Sequence, residues 1–118
     1  MAEHIKRVNL KRVYNAPDTT DLKPVPEGNW IGFWRDHFNN TEGKEYYCVC
    51  CNKEVADRGG HVWNGRNLPL YIVPLCATCN DDDHKEAFDV PADIMVKETY
   101  SDKTLWERKH VRKVINAK

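Results

Sequence analysis

The sequence predicts a small α+β domain that is held together by a metal ion. Four of the five cysteines form two Cys-x2-Cys pairs, and short segments with helix or strand periodicity surround them. A chain of 118 residues is long enough for one domain but not for two. Domains of this size often rely on a metal ion to order their loops. We therefore expect residues 1–118 to form a single metal-stabilised domain.

The two cysteine pairs have the spacing of a tetrahedral zinc site. Two cysteines three positions apart on a tight turn can direct both sulfurs at one ion, and two such turns complete its shell. We therefore predict one structural zinc ion, bound by Cys48, Cys51, Cys76 and Cys79. The fifth cysteine, Cys50, is either a spare thiol or an alternative ligand that pairs with Cys48. The matched spacing of the two pairs favours Cys51 as the ligand.

An amphipathic helix is predicted before the first cysteine pair. Within residues 29–38, five side chains recur at i, i+3, i+4, i+7 and i+8: Trp30, Phe33, Trp34, His37 and Phe38. Such an aromatic stripe is more typical of a face buried in a core than of a platform that stacks on a ligand. Upstream, residues 4–14 suggest an irregular strand, and prolines and glycine mark residues 15–28 as a loop.

A β-hairpin is predicted between the two cysteine pairs. Residues 59–63 and 69–73 have strand character, and the polar residues 64–67 lie between them as a turn. The second pair then opens a short helix over about residues 80–88, and residues 91–96 suggest an edge strand. A zinc knuckle, a hairpin and a second knuckle at a helix start form the treble-clef arrangement. We place this core at about residues 46–90.

Positive charge is concentrated at the two ends of the chain. Lysine plus arginine and aspartate plus glutamate both number 18, yet residues 1–15 carry +3, residues 102–118 carry +4, and the middle carries −7. The C-terminal segment predicts a basic amphipathic helix that starts at the capping-box pattern from Thr104 to Glu107. Basic ends suit contact with phosphates, and they equally suit docking on the acidic body of the chain.

Three polar residues near the second cysteine pair suggest a hydrolytic site. His61 lies on the first hairpin strand, and Asn80 and His84 share one face of the predicted helix. His61 would activate water as a general base, and the other two would hold a divalent ion beside the leaving oxygen. Structural roles suit the same residues: His61 can orient the knuckle, Asn80 can cap the helix, and His84 can lie at the surface. The run Asp81 to Asp83 suits a solvated first helical turn.

The same segment resembles the HNH nuclease core, on the strings Gly60-His-Val and Tyr71-Ile-Val-Pro-Leu-Cys-Ala-Thr-Cys-Asn80. The likeness is strongest to members of the endonuclease VII type, which bind zinc through four cysteines, and to small bacterial HNH-like proteins. It covers about residues 46–90. The resemblance implies His61 as general base and Asn80 as ligand of a second divalent ion (Mg, Mn or Ni). Colicin-type members imply His84 as a further ligand. HNH enzymes usually carry Asp or His before the base, where this chain has Gly60.

Three functions follow from these observations. The incomplete motif favours a zinc module that binds DNA or RNA through a degenerate HNH scaffold. An active metal-dependent endonuclease and a protein-interaction module are the alternatives, the latter because the net charge is zero. The chain lacks the apolar segment of a secretory signal and any stretch that approaches a membrane span. We therefore expect a cytoplasmic protein without a membrane partner, whose reduced thiols bind metal rather than form disulfides.

Overall fold

A curled antiparallel sheet and one α-helix make up the part of the chain that the computed structural model describes, namely residues 2–17, 19, 29–38, 44–81 and 83–98. The elements are β1 (Leu10–Asn15), α1 (Trp30–His37), β2 (Arg58–Trp63), β3 (Tyr71–Leu75), β4 (Phe88–Pro91) and β5 (Val96–Lys97), with a 3-10 turn at Ala92–Ile94. The strand order is β4-β1-β2-β3-β5. This α+β architecture agrees with the class that the sequence predicts. Within these residues, no helix has the length and apolarity that a membrane crossing demands.

The β2–β3 hairpin coincides with the predicted one. Its ladder runs from the pair Arg58–Leu75 to the pair Val62–Tyr71. In the connecting turn, the Asn64 side-chain oxygen accepts hydrogen bonds from the backbone N–H groups of Arg66 and Asn67, at 2.9 and 3.0 Å. Gly65 adopts a φ of 88°, which only glycine adopts without strain. The turn therefore fixes the register of the two strands.

Strand β1 lies between β4 and β2 in the described sheet. Its first four residues pair with β4, from Leu10 opposite Pro91 to Val13 opposite Phe88. Its last two residues pair with the end of β2. The segment at residues 4–14 that the sequence marks as an irregular strand is thus extended from Leu10 onward, and it bridges two parts of the chain that are far apart in sequence.

Helix α1 lies where the aromatic stripe predicts it. The side chain of Asn29 accepts the backbone N–H of Gly32 at 2.7 Å and so caps the first turn. Phe33 and Trp34 are completely buried, and the Trp34 indole N–H donates to the carbonyl of Ile94 at 2.8 Å. The four aromatic residues of the stripe are therefore buried or packed against the core, where the helix lies against β2 and β3, whereas His37 is exposed.

The core and the cysteine pairs are continuous. The buried residues of the hydrophobic core come from α1, from four of the five strands, from the 3-10 turn and from the knuckles: Val13, Phe33, Trp34, Cys48, Val49, Val62, Ile72, Val73, Leu75, Cys76, Cys79, Val90 and Ile94. Metal binding at the cysteines would consequently organise the hydrophobic core itself.

Two consecutive glycines let both faces of β2 be approached closely. A Cβ atom on Gly59 would lie 2.2 Å from the backbone carbonyl carbon of Trp30, at the start of α1. A Cβ atom on Gly60 would lie 2.4 Å from Cδ1 of Leu75 and 2.6 Å from Oδ1 of Asn80. Because successive strand residues face opposite sides, the helix occupies one face of β2 and Asn80 occupies the other.

The segment after Cys79 differs from its prediction. The described residues from Asn80 to Ala87 form turns, bends and irregular backbone, and β4 begins at Phe88, so the helix expected over about residues 80–88 is not formed there. A helix of that length is only marginally stable in water. Pairing with β1, in contrast, gives the backbone N–H and C=O groups of residues 88–91 hydrogen-bond partners. The two knuckles and the hairpin are present, but the helix that would complete a treble clef is not among the described elements.

The C-terminal part of the prediction is only partly covered. The strand suggested at residues 91–96 is divided between the end of β4, a 3-10 turn and the short strand β5. The basic helix expected from Thr104 onward lies outside the described residues, as does most of the predicted loop at residues 15–28.

Candidate metal centre

The four predicted zinc ligands come together. The sulfur atoms of Cys48, Cys51, Cys76 and Cys79 all lie within 4.8 Å of one another. The Cys51 and Cys76 sulfurs are 3.9 Å apart. Two sulfurs bound to one tetrahedral zinc ion at about 2.3 Å would be separated by about 3.8 Å. The cluster could therefore hold a metal ion with little movement of the side chains.

Both knuckles are built by the same backbone turn. In the first, the N–H of Asn52 donates to the carbonyl of Cys48 at 2.8 Å, and in the second the N–H of Asn80 donates to the carbonyl of Cys76 at 3.0 Å. The first knuckle is also tied to β3, because the N–H of Val49 donates to the carbonyl of Pro74 at 3.1 Å. These bonds bring together two cysteine pairs that the hairpin separates in sequence.

The thiols of this cluster differ in how readily they ionise. Burial raises the pKa of Cys48 to about 11, and burial also raises the pKa of Cys79. Burial disfavours charge on Cys51 as well, but backbone N–H groups of Glu54 and Lys53 and neighbouring thiols outweigh it and lower its pKa to about 7. A metal ion must therefore displace protons from the buried thiols when it binds.

Four sulfur ligands make this a closed site. Cys48, Cys76 and Cys79 are buried, and Cys51 is half-buried. A tetrahedral ion with four cysteine ligands keeps no position for water or substrate, which is the arrangement of structural zinc rather than of catalytic zinc. The cluster fits the structural role that the spacing predicts.

The structure does not bring His61 and Asn80 to one side of the sheet. His61 is 4% exposed, and its ring lies edge-on to Trp30 of α1, with 4.5 Å between the ring centroids. The Asn80 side-chain oxygen lies against Gly60, on the opposite face of β2. Any side chain at residue 60 would overlap this amide. Packing thus explains why a glycine stands directly before His61.

His84 lies beside the odd cysteine rather than beside His61. Its Nε2 atom is 3.6 Å from the Cys50 sulfur, and its ring lies edge-on to Phe88. Cys50, Cys79 and His84 together form a second group whose ligand atoms all lie within 4.8 Å of one another. The sequence gives no sign of this pairing, because the predicted helix would have placed His84 with Asn80.

A groove lies between the N-terminal segment and the end of α1. Its volume is about 630 Å³, and its lining includes four exposed basic or imidazole side chains and two half-buried aromatic rings: His4, Lys6, His37, Lys44, Phe38 and Tyr46. Asp93 contributes an acid to the lining. Sequence reasoning missed this groove, because its residues come from four separate segments, and only the positive charge of residues 1–15 pointed toward it.

Comparisons of the chain with protein-family models, with curated proteins and with solved structures find no match.

Proposed function

We propose that the protein is a zinc-stabilised nucleic-acid-binding module, in which the ion at Cys48, Cys51, Cys76 and Cys79 holds the fold and takes no part in chemistry. The choice of zinc rests on the four closely spaced sulfurs, since soft thiolates in a tetrahedral set favour zinc over harder ions. In this proposal, the resemblance to HNH proteins reflects a shared scaffold, which in this chain keeps the cysteine knuckles and lacks the catalytic ion.

The observation that carries the binding role is the groove. Lys6 and Lys44 offer ammonium groups to phosphates, and Phe38 and Tyr46 offer ring surfaces to bases. This combination of cations and aromatic rings is what proteins use to bind single-stranded nucleic acid. Phe38 is held in place by stacking on the buried Trp34, with 4.8 Å between the ring centroids.

The charges around the groove leave its lysines available to a phosphate. Lys44 lies 4.0 Å from a carboxylate oxygen of Glu3, and both side chains are more than half exposed. An exposed ion pair of this kind contributes little free energy, so a phosphate can compete for the ammonium group. Asp93 opposes binding at one side of the groove, which favours modest affinity at low salt.

An endonuclease has less support from the geometry. The predicted general base, His61, is buried against α1, and the predicted metal ligand Asn80 lies on the other face of β2. A general base must come within hydrogen-bond reach of its water. The two residues could not act on one water molecule without a rearrangement of the sheet.

Binding can be tested by fluorescence anisotropy with labelled single-stranded DNA and RNA over a range of salt concentrations. We expect binding at low salt that weakens as salt is added. A plot of log K against log salt has a negative slope. The double variant Lys6→Gln/Lys44→Gln should make this slope less steep by about 1.4, if each lysine neutralises one phosphate. The matched control Lys53→Gln/Lys97→Gln removes the same charge outside the groove and should keep most of the slope.

Two results would contradict the proposal. Equal losses in the two double variants would place binding outside the groove, and no binding at low salt would favour a protein-interaction module. A plasmid-nicking assay with Mg²⁺, Mn²⁺ or Ni²⁺ covers the remaining alternative. Metal-dependent nicking that disappears in His61→Ala would establish an endonuclease instead.

A further inference from the structure

The strongest unexplained feature outside the four-cysteine cluster is the contact between the odd cysteine and a histidine. We propose that Cys50, Cys79 and His84 bind a second metal ion, zinc or a similar transition metal, and that this ion shares the Cys79 thiolate with the structural site. The proposal concerns an additional site, and it does not depend on whether the groove binds nucleic acid.

The distances match those of ligands on one ion. The Cys50 sulfur and His84 Nε2 are 3.6 Å apart, and both lie within 4.8 Å of the Cys79 sulfur. A tetrahedral zinc ion with Zn–S of about 2.3 Å and Zn–N of about 2.0 to 2.1 Å would separate such a sulfur and nitrogen by about 3.6 Å. Thiolate and imidazole are also ligand types that zinc prefers.

Asn15 holds the two ligand-bearing parts of this loop together. Its side-chain amide donates to the carbonyl of Cys79 at 2.7 Å and to the carbonyl of His84 at 3.2 Å. One β1 side chain therefore fixes the spacing between two of the three ligands. The third ligand, Cys50, is held by the first knuckle, where its own N–H donates to the Cys48 sulfur at 3.4 Å.

Charge favours a second ion at this position. Four thiolates outweigh the charge of one divalent ion, so the structural site carries net negative charge when filled. A thiolate sulfur has more than one lone pair, so Cys79 can donate to two ions at once. A second cation ligated by Cys50 and the neutral imidazole of His84 would reduce this excess negative charge.

The second site differs from the first in being open. Cys50 and His84 are half-buried rather than sealed in the core. Three protein ligands leave one position of a tetrahedral ion for water or for an incoming oxygen or sulfur ligand. This site, unlike the four-cysteine site, could therefore bind an exogenous ligand, such as a phosphate oxygen, through its metal.

The test is a metal count on the full chain under reducing conditions. Apo-protein is titrated with Co²⁺, whose visible and near-ultraviolet absorption reports tetrahedral geometry and thiolate ligation, and the zinc form is counted by native mass spectrometry. Wild type should bind two equivalents. Cys50→Ser and His84→Ala should each bind one and keep the thermal stability of the zinc-bound fold. The control Lys85→Ala, next to His84 in the chain, should still bind two.

The shared sulfur has its own signature. Loading with cadmium-113 should give two resonances with mutual scalar coupling through Cys79, and the second resonance should be absent from His84→Ala. Saturation of wild type at one equivalent would overturn the proposal, even if a variant fails to fold. Two equivalents in both Cys50→Ser and His84→Ala, or loss of the second ion in Lys85→Ala, would also overturn it. Binding of no metal at all would overturn the proposal together with the structural zinc site.

Discussion

Gly59 illustrates how much of this fold depends on the absence of a single methyl group. The backbone of Trp30 and Ile31 lies 2.2 to 2.5 Å from the place where a Cβ atom would be. We expect Gly59→Ala to destabilise the protein by about 3 kcal/mol or more, because helix α1 would have to move away from β2. Denaturant unfolding of the zinc-loaded protein measures this loss.

Gly60→Ala is the matched comparison for that variant. Its added methyl group meets side-chain atoms of Leu75 and Asn80, which can shift more easily than backbone. We therefore expect a smaller loss of stability than in Gly59→Ala. A loss at residue 60 that equals or exceeds the loss at residue 59 would contradict the close approach of the helix to β2.

The protonation of the buried thiols predicts how zinc binding depends on pH. Because their pKa values are raised, Cys48 and Cys79 are protonated at pH 7 in the metal-free protein, and zinc must release those protons. Calorimetric titration in two buffers of different ionisation enthalpy should show release of at least these protons and a zinc affinity that falls with falling pH. An affinity that does not change between pH 6 and pH 8 would contradict thiolate ligation.

At the scale of elements, Trp34 ties α1 to the rest of the fold. Trp34 is completely buried, and its indole N–H satisfies the carbonyl of Ile94. Trp34→Phe removes this hydrogen bond, leaves a buried acceptor unsatisfied and opens a void, so we expect a loss of about 2 to 4 kcal/mol. The half-buried Trp30 is the control, since Trp30→Phe should cost clearly less in the same unfolding measurement.

The elements that could be predicted are those whose signals are local. Helix α1 follows from five aromatic or imidazole side chains at helical spacing, and the hairpin follows from the polar turn at residues 64–67. The segment after Cys79 also has local helix signals, but its partner, β1, lies more than 70 residues earlier. Sequence patterns do not reveal such non-local pairing, which here makes the chain a strand from Phe88 onward.

The same distinction applies to the candidate site. The spacing of the four cysteines is a local signal, and their predicted grouping is confirmed by the positions of their sulfurs. The placement of His61 and Asn80 depends on which face of β2 each approaches, and the contact between Cys50 and His84 depends on the absence of the predicted helix. Neither can be read from spacing alone.

At the scale of the whole molecule, metal removal should disrupt the core. Three of the four cysteines of the cluster are buried members of the main hydrophobic cluster. We expect Cys79→Ser, or chelation of the wild type, to unfold the chain, because structural zinc supplies binding free energy on the order of 10 kcal/mol in small zinc domains. Circular dichroism with a zinc-release assay checks this. A Cys79→Ser protein that melts like wild type would contradict the four-cysteine assignment.

Residues 2–16 contain no cysteine, yet they determine whether the rest of the molecule can exist as a separate fragment. Glu3 exchanges backbone hydrogen bonds with Glu45 and Tyr47, the guanidinium of Arg7 donates to the carbonyls of Val49 and Asp89, and β1 is the partner of β4. A fragment limited to residues 46–90 would keep every zinc ligand but would leave β4 without its partner and one edge of β2 open. Unpaired strand edges recruit strands from other molecules. The excised zinc core would therefore tend to self-associate. In the longer chain, β1 covers these edges of β2 and β4 and so prevents such pairing.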